Sequence, residues 1–305
     1  MSVVSELRDL KSSAKGGGDG KAAFWFLLPW FIGLFAITAG PLVASLFLSF
    51  TDYNLLQAPS FIGVENFVRM LSDERLLKSL GVTFLYVIVS VPLQLAFALA
   101  LAIFLDRGVR GLSFYRSVFY LPSLIGGSVA IAVLWRVVFG TEGLVNQFLA
   151  FFGIDGKGWI SSPDTAIWTL ILLNVWAFGA PMVIFLAGLR QVPNSLYEAA
   201  QIDGAGKWRQ FRSVTLPMLS PIIFFNLVLQ IIHAFQSFTQ AFVVSGGTGG
   251  PADSTMLFSL YLYQRGFRNF DMGYASALAW LLVLIIGAFT AINFWASKYW
   301  VFYDD

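Results

Sequence analysis

The residues with the clearest capacity for docking chemistry lie in the polar segment 198–217, between two long apolar runs of the 305-residue chain. The segment carries a carboxylate at Glu198, a glycine at Gly204 and then several basic residues. Ser195 and Glu198 have the spacing of a capping box, which predicts the start of a helix. Gly204 stands where a left-handed residue would end that helix, and a second helix is expected over about 206–213. An exposed hairpin of this kind offers charge pairing and docking.

Two interpretations of this hairpin follow from the spacing alone. In the first interpretation, the hairpin is purely structural: capping boxes are common, and Lys and Arg anchor the cytoplasmic ends of membrane spans. In the second, a soluble partner pushes against the hairpin.

A second set of candidate residues is neutral and lies inside an apolar run. Five polar side chains follow each other at steps of four, three, four and three, namely Asn226, Gln230, His233, Ser237 and Gln240. This spacing places them on one face of a helix. Polar groups that face lipid cost free energy, so the face should turn toward protein or a water-filled cavity. The alternative is that these side chains only bind neighbouring helices.

Another apolar run offers a polar group beside an aromatic ring. Asn174, Phe178 and Pro181 share a helix face by the same kind of spacing. Asn174 and Phe178 are therefore further candidates for lining the same cavity.

Catalytic chemistry has few candidate residues in this chain. It contains no cysteine and one histidine, which excludes thiol catalysis and zinc sites built from several imidazoles or thiolates. The stretch around Gly20 and Lys21 superficially suggests a phosphate loop, but Lys15 and Ala22 occupy positions that require Gly and Ser or Thr. The sequence therefore predicts no cofactor in this chain, and any ATP hydrolysis must come from a partner.

Composition shows which elements must position these residues. The chain is 57% hydrophobic and only 12% charged, which predicts an integral membrane protein. The apolar runs are long and continuous, so we expect an all-α fold rather than a barrel. Six runs reach the roughly 20 residues that a span needs, near Phe24–Phe50, Val82–Leu105, Val118–Phe139, Thr165–Gly188, Leu219–Val244 and Tyr274–Ser297.

The distribution of Lys and Arg predicts the topology. These residues are roughly twice as frequent in the segments that would be cytoplasmic if the N-terminus lies inside, so both termini are expected in the cytoplasm. The predicted organisation is a flexible cytoplasmic tail (1–22), a six-helix transmembrane domain (23–300) containing the polar loop (189–218), and a short C-terminal tail (301–305).

The predicted outer loops carry local structure of their own. Residues 61–67 are expected to form a short interfacial helix. The glycines of 245–251 favour turns, and 254–267 should form an amphipathic outer helix.

The order of residues in the polar loop resembles the EAA loop of ABC importer permeases. Glu198-Ala-Ala is followed after three residues by Gly204, and after nine more by Val214-x-Leu-Pro217, with Val214 where Ile is more usual. The sequence from Glu198 to Ala205 resembles the carbohydrate branch of that family. The C-terminal end resembles the first of the two permease subunits in maltose or glycerol-3-phosphate importers. Further similar segments are Phe61–Phe67, Phe185–Pro193 and Gly249–Thr255.

This resemblance implies a role for the polar loop. The helix from about Leu196 to Asp203 would be a coupling helix that docks in a cleft of a cytoplasmic ATPase. Glu198 would pair with a basic residue there, and Gly204 would allow the tight bend. The implied coupling residues are Glu198, Ala199, Ala200, Asp203, Gly204, Ala205, Leu216 and Pro217.

The same resemblance implies a path and partners. Asn174, Phe178, His233, Ala234 and Ser237 match positions that line the sugar site of maltose-type permeases, although His233 and Ala234 do not repeat those side chains. The implied partners are a second homologous permease, two ATPase subunits and an extracytoplasmic solute-binding protein, in the inner membrane of a prokaryote. The chain itself would be a non-catalytic transport subunit.

Several alternatives stay open at this point. Within the family, the substrate could instead be glycerol-3-phosphate or another polyol or phosphate ester, and the permease could be a homodimer. An ion-coupled secondary transporter would normally need an intramembrane carboxylate or interrupted repeats, and neither is visible. An intramembrane enzyme would lack catalytic groups, as argued above.

Overall fold

The computed structural model describes residues 19–107 and 111–302, and this part of the chain is almost entirely helical. Its β structure is one isolated bridge between Thr51 and Phe61. The all-α prediction is therefore confirmed. Most of the predicted tails, 1–22 and 301–305, falls outside the described residues, and the first described helix already begins at Asp19.

Among the described residues, the long apolar helices form four candidate membrane spans, or six when each of two bent pairs is counted as one span. Four are single helical stretches long enough to cross a membrane: Ala23–Leu48, Glu74–Asp106, Lys207–Val244 and Met272–Ser297. Two further spans, the third and fourth along the chain, are bent pairs: Leu112–Ile125 with Val129–Val138, and Pro163–Trp176 with Gly179–Leu189. The predicted number of spans agrees with the structure when each bent pair is one span.

The third span is not the single straight helix predicted over Val118–Phe139, because its two halves meet at 96°. The chain turns at Gly126 and Gly127, and Ser128 then adopts an extended conformation and caps the second half through its Oγ, which accepts from the Ile131 N–H at 3.3 Å. A Cβ on Gly126 would lie 2.7 Å from the Pro122 carbonyl oxygen, so the turn needs a glycine here.

The fourth span bends by 41° where Ala177 and Phe178 leave the helix. Pro181 falls in the first turn of the following helix, where its missing N–H costs little. The Ser123 hydroxyl of the third span accepts from the Ala180 N–H at 2.8 Å and donates to the Ala177 carbonyl at 2.9 Å. The breaks of the third and fourth spans are thereby fastened to each other.

The fifth span begins earlier than predicted, since the expected separate helix over 206–213 runs into it without a stop. Lys207–Gln210 continues through a π-helical segment, Phe211–Thr215, into the helix Leu216–Phe235. Pro217 has no N–H to donate, and the wider π turn before it accommodates that loss. The helix then breaks at 236–238 and resumes as Thr239–Val244.

The core is built around the second span, which packs against the fourth and fifth. Its largest fully buried side chains include Tyr86, Phe185, Met182 and Phe235. In the first span, in contrast, no residue of the most apolar 18-residue stretch is buried. Five spans therefore form the packed bundle, and the first lies at its periphery.

Short elements connect the spans on the side away from the polar hairpin. The helix predicted over 61–67 begins only at Glu65 and runs to Met70, because Phe61 pairs with Thr51 in the isolated bridge instead. Gly246, Gly247, Gly249 and Gly250 all have positive φ, which confirms the turn-rich loop. The following helix runs over Phe258–Tyr263 and continues as a π-helical turn over Gln264–Arg268, with Phe258, Leu260 and Tyr261 buried. The remaining short helices are Leu144–Phe151 and the 3₁₀ turn Pro251–Asp253.

Candidate functional site

The polar hairpin, residues 190–215, consists of the helix Asn194–Ile202, a turn and the start of the fifth span. The capping-box prediction is wrong, because the helix begins before Ser195. Pro193, with φ −62° and ψ 131°, is the N-cap residue, and no side chain caps the first turn. Proline fixes φ near the value that leads into a helix, so the start moves toward the N-terminus.

The hairpin turn is a Schellman motif centred on Gly204. The Gly204 N–H donates to the Gln201 carbonyl at 2.9 Å, and the Ala205 N–H donates to the Ala200 carbonyl at 2.8 Å. Gly204 has φ +76°, the left-handed conformation predicted from its position. The turn reverses the chain within a few residues, and the Tyr197 hydroxyl, 3.0 Å from Thr215 Oγ1, ties the hairpin helix to the fifth span.

The hairpin helix presents an unusually open surface. None of its residues is buried, and Glu198, Ala199 and Asp203 are exposed. Ile202 at its end is 87% exposed and Trp208 on the opposite arm is 73% exposed. A helix with exposed apolar side chains beside carboxylates has the composition of a docking surface.

The other proposed coupling residues have a supporting position. Ala200 and Ala205 are half-buried in the turn, and the Ala205 carbonyl accepts from the Gln210 side chain at 2.8 Å. Leu216 and Pro217 are half-buried in the fifth-span helix rather than on the hairpin surface. These four residues therefore hold the hairpin at the base of the fifth span.

A cleft of about 670 Å³ opens beside the hairpin, which the sequence did not reveal. It lies between the end of the second span, at Asp106 and Arg107, and the hairpin residues Tyr197, Trp208 and Phe211. Asp106 also forms a half-exposed ion pair with Arg190 at 3.6 Å. The hairpin is thus attached to the second span as well as to the fifth.

The five-residue polar face is only partly continuous in the structure. Asn226, Gln230 and His233 lie on the helix Leu216–Phe235, but the break at 236–238 separates Ser237 and Gln240 from that face. The single-face prediction is wrong for the last two residues. The spacing argument assumed an unbroken helix, and no proline or glycine marks this break in the sequence.

The individual members of this face have different environments. Asn226 is buried, and its amide donates to the Ile222 carbonyl at 3.0 Å within its own helix. Gln230 is half-buried and His233 is exposed. Ser237 donates to the Gln240 side chain at 3.3 Å, and Gln240 donates to the Gly126 carbonyl at 3.4 Å. The break at 236–238 in the fifth span is thereby connected to the turn in the third span.

A polar junction forms where the broken helices meet, and two of its members were not predicted. Asn174 donates to Gln94 Oε1 at 3.2 Å, while Gln94 Nε2 donates to the Ala177 carbonyl at 2.9 Å. Ser123 donates to the same carbonyl, as described above. Gln94 and Ser123 satisfy backbone groups that the bend leaves without helical partners. The only sequence signal for them is polarity within apolar runs.

Phe178 is 6% exposed and packs among aromatic rings in this structure. Its ring lies edge-on to Phe97, with centroids 4.9 Å apart, and 6.2 Å from the ring of Phe119. Contact between Phe178 and a sugar would therefore require the neighbouring rings to move apart.

A cluster of ionisable groups lies at the other end of the second span, around the Asp73 carboxylate. Tyr261, Tyr274 at 2.7 Å and Arg265 at 3.2 Å all donate to Asp73 Oδ2. Burial raises the pKa of the Asp73 carboxyl, but the two tyrosine hydrogen bonds and the Leu76 N–H outweigh burial and hold that pKa below its usual value. Burial, together with the bond to Asp73, raises the pKa of Tyr261 to about 12. The cluster therefore holds an ionised carboxylate between neutral tyrosines.

Comparisons with known proteins agree with this architecture. Residues 67–299 match the family described as binding-protein-dependent transport system inner membrane component. The chain is 52% identical over 298 residues to the probable ABC transporter permease protein YesP of Bacillus subtilis, covering 97% of this chain and 96% of the relative. It is 33% identical to the lactose transport system permease protein LacF of Rhizobium radiobacter, covering 85% of this chain and 88% of the relative.

The fold is also similar to that of solved structures. A chain of the crystal structure of a bacterial ABC transporter involved in the import of the acidic polysaccharide alginate superposes with a TM-score of 0.79. The match covers 96% of this chain and 98% of that chain at 20% identity. At this identity the similarity establishes the shared helical architecture.

Proposed function

The chain belongs to the family of inner membrane components of binding-protein-dependent transport systems, and from that premise we propose that it forms part of the translocation path for a sugar. It is a multi-pass membrane protein, and in our proposal the four continuous and two bent candidate spans of the described residues all cross the membrane. The sugar class is supported by relatives named for lactose and for starch degradation products. A relative named for sn-glycerol-3-phosphate, at 34% identity, keeps a polyol phosphate as the second candidate.

The observation that carries the coupling role is the exposed helix Asn194–Ile202 closed by the left-handed Gly204. In our proposal this helix lies on the cytoplasmic side and inserts into a cleft of an ATPase subunit. Glu198 pairs with a basic group of that subunit, and Ile202 is buried on docking. Because the hairpin is attached to the second and fifth spans, closure of two ATPases on ATP would move the broken spans of the core.

The proposed substrate path follows the polar junction and the fifth span. Asn174, Gln230, His233, Ser237 and Gln240 offer neutral donors and acceptors of the kind that sugar hydroxyls require. Phe178 supplies an apolar ring face when the surrounding rings separate. Asn226 is buried within the helix packing, so its contact with substrate requires a second conformation.

The proposed assembly contains further subunits that bind ATP, complete the path and deliver the sugar. A second permease, homologous to this chain, completes the path, two ATPase subunits bind ATP and Mg²⁺, and an extracytoplasmic binding protein delivers the sugar. Both termini lie in the cytoplasm of a prokaryotic cell with the path crossing the inner membrane, in agreement with the distribution of Lys and Arg. The chain itself carries no catalytic step.

The test is purification of the tagged chain after co-expression with the products of neighbouring genes, followed by reconstitution and an ATPase assay with candidate binding proteins. We expect an ATPase and a second permease to co-purify, and one binding protein to stimulate ATP hydrolysis. Uptake of labelled sugar into proteoliposomes should require internal ATP. Uptake without ATP but dependent on an ion gradient would refute the proposal in favour of a secondary transporter.

The role of the hairpin is tested within the same assembly. Glu198→Ala should weaken ATPase co-purification or uncouple hydrolysis from uptake, because it removes the exposed carboxylate of the docking helix. Glu142→Ala is a matched control, since Glu142 is an exposed carboxylate outside the hairpin. Equal behaviour of the two variants would argue that the hairpin is only a structural connection.

A further inference from the structure

A polar pocket of about 470 Å³ lies at the end of the bundle opposite the hairpin. It is lined by Arg75 at the start of the second span, Thr248 of the glycine-rich loop, and Gln264, Arg268 and Asn269. The second span is a helix of 33 residues, about 50 Å long, and separates this pocket from the cleft beside the hairpin. None of the residues assigned to the substrate path or to the hairpin lines it.

The two arginines of the pocket differ in their partners. Arg75 is neutralised by Asp253, to which Nε and Nη2 donate at 2.9 and 2.8 Å. Arg268 makes no ion pair with any residue in 19–107 or 111–302. Its Nη1 donates to the Gly247 carbonyl at 2.9 Å, which fixes the side chain and leaves the other guanidinium N–H groups for a ligand. The pocket thus carries one unneutralised positive charge.

The backbone around this charge is held firmly. The Gln264 side chain donates to the same Gly247 carbonyl at 2.8 Å, and Asp271 forms an ion pair with Arg69 at 2.8 Å. Phe270 has φ +57°, an uncommon conformation for a non-glycine residue that persists only where its surroundings impose it. A cation held in a fixed place with free donors is preorganised for a planar carboxylate.

Two exposed aromatic residues lie close to Arg268 in the sequence, outside the lining of the pocket. Phe267 is 56% exposed and Phe270 is 50% exposed. The Phe267 ring also stacks on Tyr263, with centroids 5.3 Å apart, so part of it is already ordered. Arginine beside exposed aromatic rings is the composition enriched at the energetic centres of protein–protein interfaces. A free sugar carboxylate would use the guanidinium but not these two apolar surfaces.

We propose that this pocket is a docking socket for an Asp or Glu side chain of the extracytoplasmic solute-binding protein, with Phe267 and Phe270 buried around the ion pair. This inference rests on the proposed function, which places this end of the bundle outside the cell. Arg268 is the residue that pairs with the incoming carboxylate. Arg75, already paired, shapes the pocket wall.

The test uses the reconstituted assembly and the binding protein that stimulates its ATPase. The measured quantity is the binding-protein concentration that gives half-maximal stimulation. Arg268→Gln should raise this half-maximal concentration about tenfold, because it removes one partner of a charge pair. The glutamine keeps an amide donor for the Gly247 carbonyl. Arg268→Glu should raise the concentration further through repulsion, and Arg268→Lys should restore most of the affinity. Raising the salt concentration should weaken wild-type docking more than docking of Arg268→Gln.

The matched control is Lys157→Glu, which reverses an exposed charge outside the pocket and should leave the half-maximal concentration unchanged. Because the chain has no cysteine, Asn269→Cys provides one labelling site at the pocket. In intact cells a membrane-impermeant maleimide should label it, and the binding protein should protect it in the reconstituted assembly. A charge-reversed Asp or Glu of the binding protein that rescues Arg268→Glu would identify the partner residue.

The outcomes are distinguishable. If Arg268→Gln and Arg268→Glu both keep the wild-type half-maximal concentration, or if Asn269→Cys is labelled equally with and without binding protein, the docking inference is wrong. If only the uptake of acidic saccharides changes while docking does not, the pocket binds substrate and the inference is also wrong. If no binding protein stimulates the wild-type assembly, the proposed function fails first and this inference with it.

Discussion

Replacement of Gly204 by alanine isolates the energetic role of the hairpin turn. A Cβ built on Gly204 has nothing within 4 Å, so the substitution introduces no clash inside this chain. The remaining cost is conformational, because φ of +76° disfavours an L-residue by roughly 1–2 kcal/mol. At about 1.4 kcal/mol per factor of ten, the docking-competent hairpin should become about 5- to 30-fold less populated.

Gly206 offers a matched control two residues further along. Its φ is −68°, which any residue adopts, and a Cβ there also meets nothing within 4 Å. We expect Gly206→Ala to bind the ATPase with wild-type affinity, while Gly204→Ala weakens it by the factor given above. The assay is titration of the ATPase against the permease in nanodiscs, with ATP-dependent uptake measured in parallel.

A second pair of variants separates charge from backbone strain. Asn and Asp both tolerate the left-handed conformation better than alanine does. Gly204→Asn should therefore lose less affinity than Gly204→Ala. Gly204→Asp adds a third carboxylate to the docking surface, beside Glu198 and Asp203, and should abolish uptake with membrane insertion intact. Wild-type ATPase affinity in Gly204→Ala, or equal loss in Gly206→Ala, would refute the reasoning.

Three further predictions concern the core and the ionised cluster. Asp73→Asn should lower the free energy of unfolding in detergent by about 1.5–3 kcal/mol, because it removes charge-assisted hydrogen bonds. Since the pKa of Asp73 is lowered in the folded protein, the carboxylate stabilises the fold at neutral pH and loses this effect as the pH falls through that pKa. The difference in stability between variant and wild type should therefore shrink below roughly pH 4. Gly179→Ala should prevent a monodisperse size-exclusion profile, since its Cβ would overlap the Phe119 carbonyl, whereas Gly127→Ala meets nothing within 4 Å and should be neutral. Gln94→Leu should lower the free energy of unfolding by about 1–3 kcal/mol, because it leaves the buried Ala177 carbonyl and the Asn174 amide without this partner. An unchanged melting curve would show that these hydrogen bonds do not stabilise the fold.

The sequence predicted the parts of this fold that depend on composition and short spacing. Hydropathy located the six spans, because burial in lipid depends on the average of about 20 residues. The position of Gly204 predicted its left-handed turn, since few residues other than glycine take that conformation. The start of the hairpin helix was missed by a small shift, because Pro193 competes with Ser195 for the first turn.

The rest of the site depends on breaks that composition does not reveal. The hydropathy of 118–139 is continuous, yet the span turns by 96° around Gly126 because tertiary contacts stabilise the turn. The break at 236–238 carries neither proline nor glycine, so the periodicity of polar residues was extended through it. Gln94 escaped notice for the same reason, since its partner is a backbone carbonyl that only the bend of another span sets free.

The peripheral first span meets different packing demands from the rest of the chain. The family match begins at residue 67, after this span, and none of the residues in its hydropathy window is buried against the bundle. The main contact of this span with its own chain is made by Gly40–Leu48 against the last span, so most of its length needs chiefly to remain apolar and long enough to cross the membrane. Its sequence is therefore free to drift among Phe, Leu, Ile and Trp without harm to the folding of the rest, whereas the bundle that follows admits few such exchanges.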